Sequence, residues 1–236
     1  MQQVIQLAED IASCTNCRLA KERTGLSVPA MPGSLYRTGG IALFLEAPGA
    51  EEEKLFTHLP SGAGIGKPLI GGAGKLMDQL LKAAGLDREE VLVLNRIRCR
   101  PPRNRIIDYP DAVTQCDDWV KKELEAYDPA VVVLCGNTAL KSVLGATVSI
   151  TAARGSVRQT SSMFHYGSRA WIPTFHPAFP LRNGGLSSPM SKDIISDLML
   201  AKELAEAALR DTIEQLRLAN IDALNALAEE GGAPCS

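Results

Sequence analysis

The chain contains no apolar run approaching the ~20 residues that a membrane-spanning helix requires, so no spanning segment is expected. Its first residues, MQQVIQLAED, lack the basic start and cleavage site of a secretory leader, and a cytoplasmic location is expected. Net charge is nearly absent: 25 Lys and Arg oppose 27 Asp and Glu, and a net −2 does not announce a nucleic-acid binder. No internal repeat and no low-complexity linker divides the 236 residues. One domain is expected over residues 1–210, followed by an amphipathic helix and tail at 211–236. Histidine is scarce, so few candidates exist for acid–base work, and His58 and His165 lie in no suggestive context.

What is present is organised around residues 41–75. Ile41-Ala42-Leu43-Phe44-Leu45 reads as a buried strand, being short and wholly apolar. It ends in Glu46 and breaks at Pro48-Gly49. A carboxylate at the carboxyl end of a buried strand sits where open α/β sheets place ligands. The Gly-rich loop that follows can bring backbone close to a bound group. Two further strand tips carry polar residues. Val91-Leu92-Val93-Leu94 leads to Asn95, and Ala170-Trp171-Ile172 leads to His176, held at a turn by Pro177. Three polar side chains could thus meet over one crevice.

Helical periodicity places helices at 2–13, from Gly74 to Gly85, over 111–127, from Gly136-Asn137 to Leu144, from about Ser191, and from Asp211 to about Glu230. Asp211 with Glu214 resembles a capping box, and the apolar positions of this last helix (Ile213, Leu216, Leu224, Leu227) suit packing on the core, the expected use, or docking of a partner. Residues 18–40 look like loop, and 147–172 like extended segments with turns at Gly155 and Gly167. Strands alternating with helices predict a three-layer αβα sandwich around a mainly parallel sheet.

Six cysteines in a reducing compartment do not make a disulfide framework. Cys14 and Cys17 form C-x-x-C, while Cys99 and Cys116 stand far downstream; Cys135 reads as a buried core residue and Cys235 as incidental. Four converging thiols suit an iron–sulfur cluster or a tetrahedral zinc, with unligated thiols the third reading. Such a site would be structural, clamping the Arg-rich 96–105 loop onto the N-terminal helix. Arg96, Arg98, Arg100, Arg103 and Arg105 make that loop a basic strip, suited to phosphate contact or simply to solvent.

The segments LEAPGAEEEK, GKPLIGGAGKLMDQLL, LNRIRCRPPRNR, VVVLCGNTAL, VSITAARG and PTFHPAFPLR together resemble the iron–sulfur branch, family four, of the uracil-DNA glycosylase superfamily. The likeness spans roughly residues 11–205, with the motifs in family order. It implies a four-stranded parallel sheet and a [4Fe–4S] cluster on Cys14, Cys17, Cys99 and Cys116. It also implies a monofunctional, monomeric enzyme that flips a nucleotide out of DNA and hydrolyses its N-glycosidic bond. By the same resemblance, His176 would donate to the base oxyanion, Asn95 would read the base edge, and Glu46 would position water. Ala47, Pro48, Gly49, Glu52 and Leu69 would line the base pocket. Phe179, Leu181 and Arg182 would press into the groove, and Arg98, Arg100 and Arg105 would track phosphates.

Three departures surround that pocket. Leu45 stands where the family usually has Gly, Leu69 stands where it has an aromatic ring, and about ten extra residues (LFTHLPSGAGI) follow Lys54. Losing a stacking ring forfeits ~1–3 kcal/mol per base. The departures predict a bulkier target than uracil, such as a hydroxymethylated or glucosylated cytosine of phage DNA, hence antiviral defence. Ordinary uracil repair is the alternative, and a non-catalytic cluster-bearing DNA-binding protein the rival from another class.

Overall fold

The computed structural model describes residues 2–145, 147–158 and 169–230, with the side chains of 222–230 left aside. His165, Gly167 and Cys235 lie outside the described residues, as do the side chains of Leu224 and Leu227. Four parallel strands form the centre: β2 (Ile41–Leu45), β5 (Val91–Asn95), β6 (Val131–Cys135) and β7 (Ala170–Thr174). A two-residue strand, β1 (Met31–Pro32), adds to β5 antiparallel and gives the order β1-β5-β2-β6-β7. This edge strand, and the short helix α2 (Arg18–Glu22), lie in a stretch whose Gly, Pro and charge content reads as loop.

Every residue of β2, β5 and β6 is buried, because helices cover both faces. Alternate residues therefore feed two cores. Ile41, Leu43, Leu45, Val93 and Val133 face α3 (Gly72–Ala83) and α9 (Pro189–Glu230). Ala42, Phe44, Leu92, Leu94 and Trp171 face α5 (Asp117–Tyr127) and α6 (Asn137–Leu144). Truncating Phe44 to Ala would cost roughly 3–5 kcal/mol at such a site. The chain moves from β2 to β5 on one side, then returns to β6 on the other. Ligand crevices open at such a reversal, outside the carboxyl ends of the strands.

Several elements differ from expectation. The periodic stretch 111–127 is two helices, α4 (Pro110–Gln115) and α5, meeting at Cys116, which keeps helical dihedrals at the junction. Ser149 caps a short helix, α7 (Ile150–Ala153), by accepting from the Ala152 N–H at 3.3 Å, inside the stretch read as extended. The extra segment after Lys54 forms a hairpin, β3 (Thr57–His58) with β4 (Gly64–Ile65). α9 runs without a break through Asp211, so that residue caps nothing. Ile213 and Leu216 are exposed on it rather than packed on the core. Among the described residues the other α-helices are α1 (Gln2–Ala12) and α8 (Ala178–Arg182).

Candidate active site

The tips of β2, β5 and β7 open into one cleft of about 540 Å³ lined by Glu46, Asn95 and His176 together. The reason is topological: parallel strands end on the same side, and each chain segment turns sharply after its polar residue. Ala47, Pro48, Gly49, Glu52 and Leu69 line the same space, with Phe179 and Arg182 at its rim. Leu181 lies outside the lining; its side chain reaches toward Gly72 at the start of α3.

His176 is oriented by its own turn. Its Nδ1 accepts from the Ala178 N–H at 3.1 Å, so the neutral ring carries its proton on Nε2. Burial, reinforced by the Arg182 charge, pushes its pKa down from 6.5 to about 4. The imidazole is therefore a neutral hydrogen-bond donor at ordinary pH. Gly136, with φ 94°, lets α6 pass close by; a Cβ there would stand 2.9 Å from the His176 Cβ.

Asn95 is 2% exposed, and its Nδ2 has no hydrogen-bond partner among the described residues. An orphaned buried amide is costly unless a ligand completes it, and this one stands on the cleft wall. The Glu46 carboxylate accepts from the Thr138 hydroxyl through Oε2.

Glu52 does not simply project into the pocket. The backbone N–H groups of Gly49 and Leu69 face its carboxylate, which ties the two cleft-forming loops together. Burial nevertheless raises its pKa from the usual carboxylate range. Leu69 is 3% exposed and adopts φ 58°, a left-handed conformation that a branched residue holds only under constraint. Gly71, Gly72 and Ala73 continue this wall with almost no side-chain bulk.

The basic strip separates into three fates. Arg98 is 2% exposed: it donates to Glu123 and to the Asn95 carbonyl, so it cannot track phosphates from the surface. Burying a guanidinium requires a partner, and Glu123, held in turn by the Ala30 N–H at 2.7 Å, supplies one. Arg100 is half-buried, bonded to Glu53 (2.9 Å) and to Asn104 (2.9 Å). Arg105 stays at the surface, paired with Asp108 at 3.0 Å. Asn104 and Thr138 were missed by sequence reasoning. Asn104 lines the cleft at φ 56°, a signal visible only in the backbone, and Thr138 follows GN at a helix start.

Cys17, Cys99 and Cys116 share one apolar patch with Leu19, Ile97, Tyr109 and Ala112. Cys14, partly exposed, is near enough for its charge to act on Cys99. Three of these sulfurs accept N–H bonds: Cys17 from Ala20 (3.4 Å), Cys99 from Arg23 Nη1 (3.2 Å), and Cys116 from the Arg98 backbone. Burial raises the Cys99 thiol and lifts Cys116 to about 11. Among the described residues, no three His, Cys, Asp or Glu gather so as to hold a lone metal ion. Four thiols, three of them accepting N–H bonds within an apolar patch and Cys14 at its edge, suit a wider group, an iron–sulfur cluster. No described helix is long and apolar enough to cross a membrane.

Residues 41–199 match the sequence profile of the Uracil DNA glycosylase superfamily. A Type-4 uracil-DNA glycosylase of Thermotoga maritima is 34% identical over 83% of this chain and 91% of its own length. That of Sulfurisphaera tokodaii is 31% identical over 91% of this chain and 90% of its own. A third, from Archaeoglobus fulgidus, is 30% identical over 82% and 90% respectively. A strand-tip cleft, the order of the sheet and these similarities agree: the chain belongs to the uracil DNA glycosylase superfamily.

Proposed function

We propose that the protein is a monofunctional DNA glycosylase that takes one flipped pyrimidine nucleotide into the cleft and hydrolyses its N-glycosidic bond. The observation that carries this reading is the convergence of Glu46, Asn95 and His176 on one lined space. Flipping is required because stacking shields both the base and C1′ in a duplex. The C1′–N1 bond breaks with its electron pair departing on the base. His176 donates its Nε2 proton as a hydrogen bond to the resulting oxyanion, which needs a neutral, preorganised donor. Asn95 spends its orphaned Nδ2 on the base edge. Glu46 orders the water whose oxygen forms the new C1′–O bond and faces the cationic sugar; the proton this water gives up ends on the departed base anion, so sugar and base both leave neutral. Phe179 and Leu181, 53% and 43% exposed, fill the vacated stack as an apolar wedge. Cys14, Cys17, Cys99 and Cys116 hold a [4Fe–4S] cluster, which when bound cross-links the 96–105 loop to the N-terminal helices.

The target we propose is a cytosine enlarged at its 5-position, as in hydroxymethylated or glucosylated phage DNA, which would make the protein a defence enzyme. Support comes from a wall built of Leu69, Gly71, Gly72 and Ala73 where a stacking ring would narrow the space. Plain uracil is the second reading, favoured by the names of the Type-4 relatives.

Duplexes carrying uracil, 5-hydroxymethylcytosine or its glucosylated form, treated with protein and then alkali, test both levels. Breaks at a modified cytosine support the enlarged-base reading. Breaks at uracil alone overturn it and leave the glycosylase reading intact, and no breaks at any of the three overturn that reading as well. A brown protein absorbing near ~400 nm, with colour lost in Cys99→Ser, tests the cluster.

A further inference from the structure

Water activation by Glu46 demands that one carboxylate oxygen point at the cleft while the side chain resists its several rotamers. We infer that Thr138 is the positioning residue that imposes this geometry, clamping Glu46 Oε2 and leaving Oε1 to the cleft. The inference rests on the role proposed above for Glu46.

The clamp is tertiary: Glu46 tips β2, whereas Thr138 lies 92 positions later in the first turn of α6. That turn is itself fixed from three sides. Gly136 donates its N–H to the Thr174 carbonyl at 2.9 Å, seating the start of α6 against the tip of β7. Asn137 Oδ1 accepts from the Ile150 N–H at 3.1 Å, seating it against α7. Ala139 and Leu140 on the next positions are fully buried in the core under β6. Thr138 is half-buried and β-branched, so its χ1 has little freedom, and its single hydroxyl proton is committed to the carboxylate. The same first turn thus sets the place of His176, through the close approach of Gly136, and the orientation of Glu46. The two groups proposed to act on opposite sides of the breaking bond are held in register by one short helix.

Valine and serine substitutions separate the hydroxyl from the shape. T138V keeps the volume and branching but cannot donate; T138S keeps the donor and loses a methyl. Base release is measured in single turnovers on whichever substrate the wild type cleaves, alongside binding to duplex with an abasic-site analogue and thermal melting. T138V should slow release about 10- to 100-fold, the worth of one hydrogen bond to a charged acceptor. Its DNA affinity and melting should be unchanged. T138S should recover most of the rate, and T138V should cost nothing further in an E46A background, which has no side-chain acceptor left. Full speed in T138V, equal slowness in T138S, or an additional loss on top of E46A would each overturn the inference. Should the wild type release no base at all, the glycosylase reading fails on its own. Crystal structures of wild type and T138V then decide: a displaced Glu46 carboxylate supports the clamp, an unmoved one refutes it.

Discussion

His176 and Arg98 show how differently two polar residues of adjacent function are treated by burial. His176 has its pKa held near 4 against an ordinary 6.5, so the unfolded chain takes up a proton that the native one refuses. Its contribution to stability is present above pH 6.5 and is lost as pH falls through 6.5 toward 4. Urea titrations should show the wild type losing about 1 kcal/mol per pH unit across that window, and H176N losing less. In the rate profile, no acid limb should appear at pH 6.5, because the neutral ring persists to about 4. Arg98 presents the opposite case, a charge kept inside by Glu123 and the Asn95 carbonyl. R98M leaves Glu123 buried and unpaired and should destabilise the fold by roughly 3–5 kcal/mol, read by denaturant midpoint. The salt dependence of DNA binding should not change, since no phosphate contact is lost. The sequence could not tell Arg98 from Arg105. Five arginines in a loop without helical or strand period give no sign of which turn inward, and the partner Glu123 lies on a distant helix. The three strand-tip residues were legible for the converse reason. Glu46 and Asn95 each close a wholly apolar run short enough to be a buried strand, His176 follows the shorter run Ala170-Trp171-Ile172 through Pro173-Thr174-Phe175, and parallel strands end on the same side.

At the scale of elements, the start of α3 supports the Leu69 wall of the cleft. A Cβ at Gly74 would collide with the Leu69 carbonyl, and Leu69 already sits at φ 58°. G74A should therefore displace the wall, raising KM more than it lowers kcat and lowering the melting temperature, because the clash is with backbone and cannot be relieved by a side-chain rotation. α8 offers a second test. F179A with L181A removes the exposed apolar pair and should slow release from duplex about tenfold or more, with single-stranded substrate nearly unaffected. Where the elements were misread, local signals were satisfied in more than one way. Asp211 and Glu214 form a capping pattern equally at home mid-helix, and α9 runs through them. Cys116 divides one periodic stretch into α4 and α5 without changing its helical dihedrals, so no break shows in the sequence. The hairpin Thr57–Ile65 has strands of two residues each, too short for any alternation to register.

Across the whole molecule, the candidate site lies at the carboxyl end of the sheet, while the later part of α9 runs by the strand starts at Ala130 and Ala170. Leu209, Ile213 and Leu216 are 55%, 45% and 61% exposed, so this part of the helix stabilises the body little. A chain ending at Arg210 should melt within a few degrees of the full chain and release base at the same rate, since the described apolar residues removed, Ile213, Leu216, Leu218 and Ile221, are exposed. The hairpin is attached in a different way. Its two ends are already joined beneath it, Phe56 N–H to Ile65 carbonyl at 2.9 Å and Lys67 N–H to Glu52 carbonyl at 3.1 Å. Its tip reaches α1 through the Ser61 N–H and Glu9, at 2.9 Å. The insertion is thus a handle fastened to a closed ring: cut away and replaced by a tight turn, it would leave the rim of the cleft whole. The loss would surface elsewhere, as faster amide exchange along the first helix, where the handle now rests.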